Sequence, residues 1–322
     1  MAGPKPRGTK VGLIKFVDLE EWQRDNSYIR SGYRKLTNSY WKALKTIPHW
    51  HNESVNIWSH LIGSFLAIFT LAYLLLDTSP STSLTKHRQG WSAPFAGLPY
   101  PFPHPKQPSV DYADTLGFAI FLISAATCLG FSALFHTFMA HSMEVAHWWN
   151  RLDYIGIVIL ISGTFVPATH YGFFCDPHLR NLYIGLIYTA SAATIYVVIS
   201  PNARTPAFRR IRTWLFISLG LSAVLPVGHA IHRYGLEAAS ANIALFWLAL
   251  GGAFYIVGAL LYAERTPERF SPGRFDFFGS SHQIFHILIC LAAWSHFTCI
   301  TEGFRYHHGE RNGLCVRLVS YD

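Results

Sequence analysis

The sequence predicts an all-α integral membrane protein: a seven-transmembrane helix bundle with the N-terminus cytoplasmic and the C-terminus extracellular. Three observations predict it. The 322 residues are 51% hydrophobic and 14% charged, with mean hydropathy +0.22, whereas soluble domains carry about 25% charged residues. Apolar stretches of about 20 residues recur, each long enough at 1.5 Å per residue to cross a hydrocarbon core of about 30 Å. Ten Lys and Arg precede the first stretch, and positive flanks stay on the cytoplasmic side.

The spans run, in order, over Ile57–Leu76, Leu116–Met139, Tyr154–Phe174, Leu182–Ile199, Trp214–Ile231, Ile243–Tyr262 and Phe277–Ile300. Backbone in lipid must satisfy its own hydrogen bonds, so spans of this kind form a helical bundle. A soluble helical core is the alternative, and seven uncapped apolar segments joined by short polar loops do not suit it. Inner segments then hold 18 Lys and Arg against 8 outside. The excess comes from residues 1–52, read as a basic cytoplasmic segment with no apolar stretch of the signal-peptide kind. Residues 53–301 form the transmembrane domain and 302–322 a short extracellular tail. The net charge of +8 follows from this topology. With no stacking-plus-basic module, nucleic acid is not an expected partner. The lipid bilayer is the expected surroundings, in the plasma membrane or alternatively the endoplasmic reticulum. Residues 1–35 are expected to be mobile, with "LEEWQRD" (19–25) as a short surface helix. The Pro-, Ser- and Gly-rich stretch 81–110 reads as an irregular external loop. Pro167 and Pro226 are expected to kink their helices.

The last span opens "FFGSSHQIFHILICLAAW" (277–294). His282 and His286 are four residues apart, on one helix face, and can chelate one ion. Topology brings partners to the same depth. "FSALFHTFMAHS" ends the second span at His136, and "NRLDYIGIVIL" starts the third at Asp153. Ionisable groups cost roughly 2.5–3.5 kcal/mol each at the centre of a spanning helix and usually face the bundle interior. Three imidazoles and a nearby carboxylate suit Zn2+ with one position left open for water. Asp153 is then either a fourth ligand or, as preferred here, the group that holds or deprotonates the water. Ser132 precedes His136 by four residues and can bond water or a substrate carbonyl. Glu53, Asn56 and His60 share a face of the first helix, and are expected to cap and pack its start rather than line the site. His141 and His147 are expected to be solvated or interfacial. The five cysteines fit no zinc-finger or thioredoxin-like spacing. Cys175, Cys299 and Cys315 fall at or beyond the outer ends, where Cys175 could pair with Cys315.

The same residues carry a resemblance. "ESVNIWSHLIG" (53–63), "SALFHTFMAHS" (132–142), "LDYIGI" (152–157), "PERFSPGRFD" (267–276) and "SHQIFH" (281–286) resemble the progestin and adipoQ receptor family, which includes the adiponectin receptors and haemolysin-III-like proteins. "GALLYAERTPERF" (258–270) is similar to the adiponectin-receptor branch with its fungal and plant relatives. The resemblance implies seven helices with the N-terminus inside, opposite to G-protein-coupled receptors. It implies zinc held by His136, His282 and His286, with Asp153 on the zinc-bound water and Ser132 beside it. It further implies an internal cavity holding a ceramide or fatty-acid-like lipid, and ceramide hydrolysis in some members. Two functions follow as expectations. One is a zinc-dependent ceramidase-like hydrolase of lipid amides, coupled to lipid and metabolic signalling. The other is a non-enzymatic receptor for an extracellular protein ligand, with a structural zinc. A channel fits less well, because the ionisable groups gather at one end.

Overall fold

The computed structural model describes residues 12–77, 111–201, 205–311 and 313–315; the expectations for residues 1–11 and for the loop 81–110 lie outside them. Among the described residues, seven helical segments are long and apolar enough to cross a membrane. They are α2 (Ser54–Asp77), α3 (Tyr112–Phe138), α4 (Met143–Gly172), α5 (Pro177–Val198), the pair α6 (Arg209–Leu221) and α7 (Val224–Tyr234), α9 (Leu245–Ala263), and α10 (Ser281–Phe304). α1 (Tyr40–Leu44) precedes them, and α8 (Leu236–Ile243) links α7 to α9.

Several helices begin before their apolar stretch, because polar residues build their first turns. The Asp111 carboxylate accepts from the N–H of Ala113 at 2.8 Å and of Asp114 at 3.3 Å, while Asp114 accepts from the Asp111 N–H at 3.1 Å. This reciprocal cap satisfies N–H groups that the helix itself leaves orphaned. α5 has Pro177 at its start, where a missing N–H costs nothing. The seventh span starts at Ser281, later than the Phe277 expected. Gln283 explains this: its amide donates to the carbonyls of Asn52 and Phe277, each at 3.0 Å, and its carbonyl accepts from Gly279 N at 2.6 Å. Gly279 takes φ +78° there, a turn that favours glycine. The fifth span is broken at Ser222–Ala223, just before Pro226, whose ring removes the N–H that would reach back to Ser222. Pro167, in contrast, sits inside a continuous α4.

α3, α4 and α10 form the centre: half of each of these spans is buried, against 11–22% of the others. α3 and α4 meet closely at Gly163, where an added Cβ would fall 2.1 Å from Ser124 Oγ; small residues let membrane helices approach in this way. Phe118, Phe121, Leu160, Tyr171, Ile300 and Phe304 fill the core between the three. Phe65, Phe69, Tyr196 and Phe246 point outward and are exposed, as lipid-facing positions are.

At the end holding the start of α10, residues 12–52 fold against the bundle, and the expected mobility of residues 12–35 is corrected. Leu13–Ile14 and Tyr33–Arg34 pair as short antiparallel strands β1 and β2, a small departure from an all-α chain. In place of a surface helix over 19–25 there is one short turn, Glu21–Gln23. Long-range polar contacts fasten the segment. Asn26 Nδ2 donates to Glu268 at 3.0 Å, Arg30 N and Ser31 Oγ donate to Asp276 at 2.8 and 2.6 Å, and Arg265 pairs with Asp25. Glu268 also caps α10, accepting from Ser281 N at 2.7 Å, a favourable place for a carboxylate at a helix N-terminus. At the opposite end, the buried Asp114 accepts from the Tyr171 hydroxyl and from His308 Nε2, both at 3.0 Å. A Cys175–Cys315 disulfide lies at that end too. The pairing left open by the sequence is therefore assigned, and Cys299 is a buried free thiol.

Candidate metal centre

His136 closes the last turn of α3, and His282 and His286 occupy the first turns of α10. One ring nitrogen from each lies within 4.8 Å of the others. The ring centroids are 4.7–4.9 Å apart pairwise. His136 and His286 are fully buried, and His282 is half-buried.

The surrounding hydrogen bonds decide which nitrogens face one another. Glu53, one residue before α2, brings Oε2 to 2.7 Å from His136 Nδ1. A carboxylate only accepts, so Nδ1 carries a proton, and it is Nε2 that holds the lone pair of the neutral ring. His136 Nε2 is buried and has no partner. His286 Nδ1 lies 3.2 Å from the Asn56 carbonyl, which likewise assigns the proton to Nδ1. Two of the three imidazoles, His136 and His286, are thus oriented by an outer acceptor with the other ring nitrogen left for an ion, as metal-ligating histidines are. A divalent ion that accepts imidazole therefore fits the residues present.

Glu53, Asn56 and His60 are the group whose role differs from expectation. They brace the histidines instead of merely capping a helix. Asn56 Nδ2 donates to Glu53 Oε2 at 2.6 Å. His60 stacks on His286 with centroids 3.8 Å apart, its Nε2 being 3.3 Å from the His286 carbonyl. Their i, i+3, i+7 spacing was the available signal, and it fits a capped helix start equally well. Arg34 carried no such signal. Its buried guanidinium donates to the carbonyls of His136 at 2.5 Å and Thr137 at 3.1 Å, and to Thr46 Oγ1 at 2.9 Å. It thereby satisfies the orphaned carbonyls that end α3 and places a cation at the negative pole of that helix. Burial lowers the Arg34 pKa to about 10, which leaves it charged. Burial, then the Arg34 charge, holds His51 down to about 3, so His51 is neutral and accepts from the Glu53 N–H at 3.1 Å.

Asp153 and Ser132 line a cavity whose head also presents His282 and His286. Ser132 stands beside the Asp153 carboxylate. Asp153 is not a member of the three-histidine group. The cavity measures about 240 Å³, and its wall is mostly apolar, with Ile157, Phe216, Ile256 and Phe285 among its residues. Arg212 lines it near this end, 4.6 Å over the Tyr154 ring and 3.3 Å from the Tyr262 hydroxyl. His141 and His147 are outside the group; their rings pack on Tyr40 and Trp22 of the N-terminal segment.

A seven-helix bundle with this centre defines a class of multi-pass membrane protein. Residues 48–297 match the family described as "Haemolysin-III related", and the chain belongs to that family. It is 36% identical to the "Adiponectin receptor protein" of Drosophila melanogaster over 296 residues, which cover 91% of this chain and 60% of the fly protein. It is 34% identical to the "ADIPOR-like receptor IZH2" of Saccharomyces cerevisiae over 303 residues, covering 94% and 87% of the two chains. A "Heptahelical transmembrane protein 4" of Arabidopsis thaliana is 33% identical, with 89% and 87% covered.

Replacing Glu53 tests its role. Glu53→Ala is expected to weaken metal retention against a competing chelator by about 10–100-fold, the usual effect of losing an outer-shell partner. Retention equal to that of the unsubstituted chain would mean that Glu53 does not orient His136.

Proposed function

We propose that the chain is a zinc-dependent intramembrane hydrolase of a lipid amide of the ceramide type, acting in lipid and metabolic signalling. The observation that carries this reading is that two members of the three-histidine group, His282 and His286, line a mostly apolar cavity that also presents Asp153 and Ser132. Imidazole nitrogens are preferred zinc ligands, and three protein ligands rather than four are the pattern of catalytic sites. When bound, zinc supplies a Lewis acid and acidifies water towards neutral pH.

The chain's own residues do the rest. Asp153, outside the ligand group, takes the proton of the attacking water and returns it to the amide nitrogen as the C–N bond breaks. Ser132, beside Asp153, donates to the carbonyl oxygen as that oxygen gains charge. Arg212 offers a buried cation to the fatty-acid carboxylate that results. The apolar wall takes the acyl chain and excludes water.

A second reading has one observation behind it: the fly and yeast relatives are named as receptors. In that reading the metal is structural, Asp153 completes its coordination, and an extracellular protein ligand acts from outside. Asp153→Asn separates the two. The amide keeps the shape but cannot accept the proton. In the hydrolase, zinc content and melting temperature should hold while ceramide hydrolysis falls about 10²–10⁴-fold. Loss of zinc together with a lower melting temperature would favour the structural site. Unchanged hydrolysis, or none above background in the zinc-loaded parent, would remove the enzyme reading.

We also place the histidine end in the cytoplasm, in the plasma membrane or alternatively the endoplasmic reticulum. The ten basic residues before α2 support this, and so does the disulfide at the opposite end, since such bonds persist in oxidising compartments. Epitope tags in intact cells check it: a C-terminal tag is expected to be labelled from outside and an N-terminal tag only after permeabilisation. The reverse pattern would overturn the orientation.

A further inference from the structure

We propose that the cavity holds a second polar subsite, formed by His296 and Tyr255, which hydrogen-bonds an oxygen function part-way along the acyl chain of the lipid. The proposal rests on the reading that the cavity takes an acyl lipid, and it names the class: a long-chain acyl group oxygenated near its middle.

His296 of α10 and Tyr255 of α9 both line the cavity. Their rings stack, with centroids 5.4 Å apart and planes 22° from parallel. His296 is 6% exposed. Its Nδ1 is buried without a hydrogen-bond partner, and so is the Tyr255 hydroxyl. Three threonines on the same wall are, in contrast, satisfied. The hydroxyls of Thr164 and Thr169 each donate at 2.7 Å to the carbonyl one turn back, and that of Thr213 does so at 2.9 Å. Buried polar groups in proteins are nearly always paired, and a dry unpaired one is costly. Packing does not require these residue types either, because two phenylalanines would give the same stack.

The seating of the imidazole selects the nitrogen. A Cβ added at Gly251 would come within 2.8 Å of His296 Nε2, so that edge of the ring packs against the backbone of α9. Nδ1 is the nitrogen left for a ligand. A neutral imidazole nitrogen either donates or accepts, a phenol does both, and a hydroxyl on the ligand matches either arrangement.

The depth sets where the oxygen falls. His296 lies ten residues beyond His286, about 15 Å along the helix axis. An extended chain advances about 1.2 Å per bond, the reach that gives a peptide 3.3–3.6 Å per residue. A chain whose carbonyl or carboxyl group sits at the metal centre therefore brings roughly its twelfth carbon to His296. A chain oxygenated next to the carboxyl leaves both polar atoms dry.

The test is competition binding on the purified, metal-loaded full chain. Radiolabelled octadecanoic acid is displaced by octadecanoic, 2-hydroxyoctadecanoic and 12-hydroxyoctadecanoic acids. The 12-hydroxy acid is expected to displace at about tenfold lower concentration than the other two, the scale of one well-made buried hydrogen bond. His296→Phe and Tyr255→Phe should each still bind octadecanoic acid and lose most of that preference. His296→Asn, whose amide puts a polar atom near the place of Nδ1, should keep it. Equal displacement by all three acids in the parent chain, or a preference unchanged in both phenylalanine variants, overturns the subsite and leaves the acyl-lipid reading standing. Failure of every acid to bind overturns both.

Discussion

The contact on which the rest of the centre depends is that of Glu53 Oε2 with His136 Nδ1, at 2.7 Å. It puts the His136 proton on the outer nitrogen and leaves the inner lone pair facing His282 and His286. Without an outer acceptor, three clustered imidazoles in an apolar bundle would present unmatched donors and acceptors at a cost of several kcal/mol. The contact also ties α2 to the end of α3. The backbone of His136 is held separately by Arg34, and α10 is held by Glu268 at its first turn and by Gln283 one residue after His282. Side chain, helix end and neighbouring helix are thus fixed by different partners, and this keeps the ring nitrogens within 4.8 Å of one another.

The N-terminal segment takes part in that arrangement. Its ten basic residues read as a solvated, topology-setting stretch, yet Arg34 is buried under α3. Asn26, Arg30 and Ser31 bond to Glu268 and Asp276, more than 240 residues away in sequence. The "PERFSPGRFD" stretch before α10 is accordingly the mount on which this segment sits, and through it the segment is coupled to the histidines of α10.

Seven apolar runs make the bundle legible in the sequence, because the thickness of a bilayer is a length that composition reveals directly. Chain direction then puts the end of the second span and the starts of the third and seventh at one depth, which is why His136, Asp153, His282 and His286 could be grouped before any coordinates. Contacts between distant segments were not legible. Glu53 looks the same in sequence whether it caps α2 or braces His136. The charge of Arg34 says nothing of its burial. The break before Pro226 and the extra helix Leu236–Ile243 arise from local backbone accounting that hydropathy averages away. His296 and Tyr255 lie within apolar runs whose period shows no function, and only the missing hydrogen-bond partners distinguish them.

X-ray absorption at the zinc edge tests most directly whether three imidazoles hold a metal beside this mostly apolar cavity. The account predicts three nitrogen scatterers with imidazole multiple scattering at about 2.0–2.1 Å, plus one oxygen, for zinc bound to the purified chain. Sulfur at about 2.3 Å, or an all-oxygen shell without imidazole features, would contradict it.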